Sequence, residues 1–234
     1  MLPLRDNVPT RTFPVVTVGI IAVNVIVWLW EVTGTPVDTD VIHYGYYPCK
    51  IGGPCTGLAL DSKIPWYENA FTSMFMHGGW AHIIFNMLFL WIFGNNVEDA
   101  LGRVRFLLWY IAGGLAATAA QTVVTLAAGS TTDASVPNIG ASGAIAAVLG
   151  AYIVLLPNAR VLTAIFFFLI FFQELPAVLF LGIWFFVQLW QGGFSLVQPQ
   201  TGGGVAFFAH IGGFAFGVAT VHLVARRRPL QPAY

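Results

Sequence analysis

The strongest constraint on this chain is where its charges are missing. Asp, Glu, Lys and Arg are absent from Phe13 to Trp30, Ala70 to Val97, Phe106 to Thr132, Ala134 to Ala159 and Leu175 to Ala225. A helix needs about 20 predominantly apolar residues to cross the hydrocarbon core of a bilayer. Each stretch approaches or exceeds that length, and the last is long enough for two crossings. Gly192-Gly193 and Pro199-Gln200-Thr201-Gly202-Gly203-Gly204 divide it. The expected fold is therefore an all-α membrane protein, a bundle of six transmembrane helices over residues 13–225. A short N-terminal segment (1–12) precedes the bundle and a basic tail (226–234) follows it. A loop of about residues 32–80 joins the first two spans, and a Gly-rich loop, 192–204, joins the last two.

Composition agrees with that reading. Charged residues make up 9% of the chain and hydrophobic ones 57%, whereas a soluble domain carries about 25% charged residues. The formal net charge is zero, which gives nucleic acid no electrostatic footprint to bind. The first 12 residues hold Arg5, Asp6 and Arg11 with Pro3 and Pro9 and do not form a cleavable signal pattern, so the first apolar run is expected to remain as an anchor. Val161 to Phe172 is strongly apolar but short for a span. It reads as an interfacial or partly immersed segment leading into span five, with a continuous tilted helix over Val161–Gln191 as the alternative.

Basic residues set the expected orientation. Arg5, Arg11, Arg103, Arg105, Arg160, Arg226, Arg227 and Arg228 fall on one side of a six-span chain, and only Lys50 and Lys63 on the other. Both termini are thus expected in the cytoplasm of a multi-pass cell-membrane protein. Cys49 and Cys55 then lie in the outer loop, where an oxidising compartment favours a disulfide; two free thiols are the alternative. Two cysteines with no nearby histidine do not make a zinc site.

Polar residues inside membrane spans are functional-site candidates by default. Three spans carry them to the same depth. His82 and Asn86 lie in the first two turns of span two, Ser142 about one turn into span four, and His210 in the second turn of span six. At 1.5 Å per residue these groups sit roughly 5–10 Å below the outer rim. Gly140, Gly143, Gly213 and Gly217 flank them, and small residues let membrane helices approach backbone to backbone. Packing alone is the usual meaning of an isolated GxxxG such as Gly213-x-x-x-Gly217. Here Ser142 and His210 stand beside the glycines, and that favours a site.

Serine is a weak nucleophile until a base takes its proton, and histidine is the common base near neutral pH. No Asp or Glu is read at this depth in the outer leaflet, so a Ser142–His210 dyad is expected rather than a triad. His82 and Asn86, at i and i+4, share a helix face, and Asn can polarise a carbonyl oxygen; an Asn that only ties helices together is the bland alternative. The chain has no HExxH, so a metal mechanism has no support and no cofactor is expected. His222 and His43 receive no role.

Four motifs together resemble the rhomboid family of intramembrane serine proteases, in its bacterial six-span form. They are His77-Gly78-Gly79-Trp80-Ala81-His82-Ile83-Ile84-Phe85-Asn86, Gly94-x-x-x-Glu98-x-x-x-Gly102, Gly140-Ala141-Ser142-Gly143 and Ala209-His210-Ile211-Gly212-Gly213-x-x-x-Gly217. The resemblance implies Ser142 as nucleophile and His210 as general base, with His82, Asn86 and the Ser142 N–H as the oxyanion hole. It implies that His77 supports the outer loop and that Glu98 braces the inner end of span two. It makes the Gly192–Gly204 loop a cap and span five a lateral gate. Single-span membrane proteins would be the substrates, with membrane lipids as surroundings. Two positions depart from the family's pattern. Glu68-Asn69 stands where a Trp-Arg pair is common, with Trp66-Tyr67 as an aromatic anchor and the arginine unreplaced. Ala146 stands where an aromatic residue often packs on the histidine. A catalytically inactive rhomboid-like binder of membrane helices is the rival reading. A small transporter ranks last, because its polar groups would cluster at the bilayer midplane.

Overall fold

The computed structural model describes residues 1–34, 36–60, 62–166, 168–197 and 206–226. Its frame is a bundle of six helices: α1 (Val15–Thr33), α5 (Trp80–Leu101), α6 (Arg103–Ala128), α8 (Ser142–Leu155), α9 (Ala177–Val197) and α10 (Phe207–Val224). Four of them, α1, α6, α9 and α10, are long and apolar enough to cross a bilayer. Helix α5 qualifies when joined to the short helical segment Trp66–Phe75, from which it is bent by 81°. The sixth, α8, has only 14 residues, about 21 Å at 1.5 Å per residue. It can be short because it is apolar all round and enclosed: Gly143 through Tyr152 are all buried, as expected of a helix with no lipid-facing side.

Between α1 and α5 the chain forms a structured loop of short helices, α2 (Val37–Tyr44), α3 (Cys49–Gly52) and α4 (Trp66–Thr72). Helix α7 (Thr131–Ala134) lies at the same end of the bundle, on the approach to α8. Lys50 ties this loop end together. Its Nζ donates to Ser62 Oγ at 2.7 Å, to the Ile64 carbonyl at 2.7 Å and to Asn69 Oδ1 at 3.0 Å. Asn69 in turn donates to the His43 carbonyl. Desolvation in this setting moves the Lys50 ammonium below its usual pKa.

The opposite end holds a feature that the helical expectation lacked. Three antiparallel strands, β1 (Leu2–Asp6), β2 (Arg160–Phe166) and β3 (Ile170–Pro176), form a sheet in the order β1-β2-β3. The stretch expected to be interfacial, or a continuous helix to Gln191, is thus a β-hairpin, with Arg160 opposite Pro176 and Phe166 opposite Ile170. Val161, Thr163, Ile165 and Phe166 suit a pleated surface, and β1 supplies the pairing partner that the local sequence cannot reveal. The helical alternative fails for that reason. Residues 1–12 are likewise part of the main body. Asp6 accepts from Asn96 Nδ2 at 2.6 Å and from the Tyr152 hydroxyl, while Arg11 pairs with Asp99 at 2.8 Å. Burial pushes the Asp6 carboxyl up to about 6 against the lowering effect of these hydrogen bonds.

Glu98, near the end of α5, accepts from the backbone N–H groups of Val16 and Thr17 at 3.0 and 2.7 Å and from Thr17 Oγ1 at 2.8 Å. A carboxylate placed there satisfies amides that a helix N-terminus leaves unpaired and complements its dipole. Glu98, read from sequence as bracing the inner end of span two, thus caps α1 from α5. Gly192-Gly193 does not end span five: α9 continues through both to Val197. The rest of the expected cap loop, 198–204, and most of the basic tail lie outside the described residues.

Candidate active site

Helix α8 begins at Ser142, immediately after a tight approach at Gly140. Gly140 has φ +114°, a backbone conformation for which only glycine is suited. A β-carbon there would also lie 2.6 Å from His82 Nε2, so glycine is required on two counts. The Gly140 N–H donates to the Ser73 carbonyl at 2.8 Å, which holds the approach loop down inside the bundle. Ser142 therefore occupies the first turn of a buried helix, where backbone N–H groups have no intrahelical acceptor and the helix dipole favours negative charge.

Helix α10 supplies His210. Its first turn is held from α6, because Gln121 Oε1 accepts the Ala209 N–H at 3.1 Å. The two helices meet through glycine. β-Carbons built on Gly213, Gly217 and Gly150 would fall 2.1, 2.0 and 2.1 Å from the carbonyl oxygens of Gly143, Ala147 and Phe214. Gly143 has the same role toward α6, where Ala117 Cβ would be 2.7 Å away. This backbone-to-backbone approach brings His210 Nε2 to 2.8 Å from Ser142 Oγ.

Hydrogen bonding decides the protonation of each ring. Gln188 Oε1 on α9 can only accept and lies 2.8 Å from His210 Nδ1, so Nδ1 carries the proton and Nε2 is left to accept from the Ser142 hydroxyl. Trp184, one turn earlier on α9, packs its ring against the imidazole with centroids 5.9 Å apart. The place left by Ala146 is thus taken by an aromatic from a different helix. His77, fully buried, accepts from Asn86 Nδ2 at Nε2, 3.1 Å, and donates from Nδ1 to the Phe75 carbonyl, 3.2 Å. His82 Nδ1 accepts the Gly78 N–H at 3.4 Å, which leaves the proton on Nε2.

Ser142, His210, His82 and Asn86 line one cavity of about 760 Å³. Thr56 and Gly57 from the loop end line it as well. Cys49 and Cys55 form a disulfide just before them, and Thr56 is anchored by its N–H to Ser135 Oγ at 2.9 Å.

Ser142, His210, His82 and Asn86 share the cavity. His77 stands behind Asn86, Gly140, Gly143, Gly213 and Gly217 make the close approaches, and Glu98 is at the far end of α5. Five participants were not read from sequence. Gln188, Trp184 and Gln121 support His210 or its helix, Lys50 ties the loop, and Glu31 accepts the His77 N–H at 3.2 and 3.3 Å. Glu31 looked like the charge that ends span one, yet it is fully buried. Glu31 is thus a carboxylate near this depth, where none was expected from sequence, and it serves the His77 loop and not His210. Gln188 did have a signal: it is the only amide or charge between Ala177 and Trp190.

The sequence model of the Rhomboid domain matches residues 65–227. The chain is 36% identical over 88 residues to the Presenilin-associated rhomboid-like protein A, mitochondrial, of Danio rerio, covering 38% of this chain and 22% of that one. It is 28% identical over 207 residues to the Presenilin-associated rhomboid-like protein, mitochondrial, of Bos taurus, covering 86% and 46%. It is 30% identical over 147 residues to Rhomboid protease GluP of Bacillus subtilis (strain 168), covering 63% and 25%. The chain therefore spans about a quarter to a half of the length of these relatives. With the domain match running from α4 to the end of α10 over a membrane helical bundle, the chain belongs to the rhomboid family.

Proposed function

We propose that this protein is an intramembrane serine endopeptidase that cleaves single-span membrane proteins near the loop end of the bundle. The observation that carries the reading is the 2.8 Å contact between Ser142 Oγ and His210 Nε2 at the start of a buried helix. In the proposed reaction Ser142 Oγ attacks the scissile carbonyl carbon while its proton passes to His210 Nε2. The oxyanion that forms is held by the Ser142 N–H, by His82 Nε2–H and by the Asn86 hydrogen not given to His77. His210 then protonates the departing amine, leaving an acyl-enzyme. Water, deprotonated by His210, attacks the ester carbonyl and frees Ser142. No step calls for a metal or a cofactor. The distribution of Lys and Arg supports a cell-membrane orientation with both termini cytoplasmic, which would place the cavity toward the outer face.

The experiment is cleavage of a tagged single-span substrate by the purified protein in proteoliposomes, alongside covalent labelling by a fluorophosphonate. Ser142→Ala and His210→Ala should each abolish cleavage and labelling while the protein stays folded, and the double variant should be no worse than either. Cleavage that persists in Ser142→Ala would falsify the dyad. A folded wild-type protein that retains helices without cutting or labelling would favour the binder reading.

A further inference from the structure

We infer that Gln188 on α9 is a positioning residue for His210, so that the reacting unit is a Ser142–His210–Gln188 triad with a neutral third member. This rests on the protease reading. For Nε2 to take the serine proton it must start unprotonated, and the ring proton must then lie on Nδ1. A ring nitrogen bearing a proton at this depth needs an acceptor. Gln188 Oε1 is that acceptor, at 2.8 Å, and only the oxygen end of the amide can accept. Gln188 is 8% exposed, on a helix whose neighbours Phe186, Val187, Leu189 and Trp190 face outward. An amide alone in such a helix is costly unless it has a partner, and His210 is its partner.

Trp184 completes the support. At i−4 from Gln188 it lies on the same face of α9, and its ring flanks the imidazole that Gln188 holds by the edge. Face and edge of His210 are therefore both set by α9, while its backbone belongs to α10 and its target to α8. Any displacement of α9 removes both supports together, so the position of this helix controls whether the base is aligned. The choice of Gln has a chemical consequence. A carboxylate would stabilise the imidazolium by charge, whereas an amide fixes tautomer and orientation without burying a second charge. His82, on α5 across the shared cavity, is the titratable side chain that faces His210, and Gln188 adds none.

Two readouts test this in the full-length protein in proteoliposomes. The first is kinetic, with Gln188→Leu, Gln188→Glu and wild type on the same tagged substrate. Gln188→Leu should lower kcat by about ten- to a hundred-fold with KM little changed, as expected for loss of base alignment. Gln188→Glu should recover much of that loss and move the acidic limb of the kcat profile upward by about one pH unit, because an anion at Nδ1 favours the imidazolium. A merely structural glutamine gives the opposite order, with the buried carboxylate at least as harmful as leucine and an unmoved pH limb.

The second readout is solid-state nitrogen NMR of histidine-labelled protein, with the His210 signal identified by its loss in His210→Ala. Wild type should show the Nδ1–H tautomer and Gln188→Leu a mixture of the two. An unchanged tautomer together with unchanged kcat in Gln188→Leu overturns the inference while leaving the protease reading intact. A tautomer that responds to Gln188→Leu in a protein that neither cleaves nor labels overturns the protease reading and leaves Gln188 as the partner that sets His210.

Discussion

Gly213 on α10 and Gly143 on α8 touch backbone to backbone: a β-carbon on Gly213 would lie 2.1 Å from the Gly143 carbonyl oxygen. Gly143 directly follows Ser142, and Gly213 follows His210 by three residues. The contact that packs the two helices therefore also sets the separation of the Ser142 and His210 side chains. Backbone cannot retreat as the end of a flexible side chain can, so the effect of filling this space is predictable.

Gly213→Ala should destabilise the bundle by about 1–3 kcal/mol, as for overpacking generally, and Gly213→Leu and Gly217→Leu by more. Fluorophosphonate labelling of Ser142 should fall in the same order. Gly182→Ala on α9, where a β-carbon would meet nothing within 4 Å, is the control and should leave both unchanged. Melting temperature in detergent and labelling rate are the measurements. Full labelling in Gly213→Leu would show that this face does not set the distance.

Asn86 gives one hydrogen to His77 Nε2 at 3.1 Å, which orients its amide and leaves the second hydrogen for the proposed oxyanion. Asn86→Ala should lower turnover by less than the roughly 10²–10³ typical for loss of a sole side-chain donor, since His82 and the Ser142 N–H remain. The His82→Ala, Asn86→Ala double variant should be much worse than Asn86→Ala. His77→Ala should reproduce part of the Asn86 loss by freeing that amide. If Asn86→Ala changes only thermal stability, the residue belongs to helix packing.

The Cys49–Cys55 disulfide stands directly before Thr56 and Gly57, which line the cavity. Reduction, or the Cys49→Ser, Cys55→Ser double variant, should raise KM several-fold with a smaller change in kcat, because the wall moves and the reacting groups do not. EDTA should have no effect on either parameter. A fall in kcat with KM unchanged would mean that the loop supports the reacting residues instead of shaping the cavity.

Asp6 makes stability depend on pH. Its carboxyl sits at about 6 because of burial, above the ~3.9 of an unfolded aspartate. The folded state therefore binds more protons between those two values. Stability from this source is fully present below the unfolded pKa and is lost as pH rises through the folded one. The melting temperature should accordingly contain a component that declines between about pH 4 and pH 7. Asp6→Asn should remove that component, since its side-chain oxygen can still accept from Asn96 and Tyr152 without ionising. Superimposable profiles for the two proteins would show that Asp6 is not its source.

What the sequence by itself determined follows from patterns that are local along the chain. Long charge-free runs require membrane helices whatever their partners. Gly140-Ala141-Ser142-Gly143 and Ala209-His210 mark the proposed nucleophile and base, because polar groups at such depth are costly unless used. The small residues beside them announced a close approach of helices, and the glycine contacts of α8 and α10 are that approach. The tertiary structure alone decided which distant residues became partners. Strand β1 finds β2 across about 160 positions of sequence, so Arg160–Pro176 forms a paired hairpin where the composition alone reads as an interfacial or partly immersed segment. Lys50 on α3 ties together Ser62, Ile64 and Asn69 of the loop. Glu31, at a point where a span ends, turns inward to the His77 amide. Gln188 and Trp184 reach His210 from α9 only because three helices converge at one depth. Each of these pairings has no period and no fixed spacing, and the free energy that selects it is the cost of leaving a buried polar group or an open backbone edge without a partner.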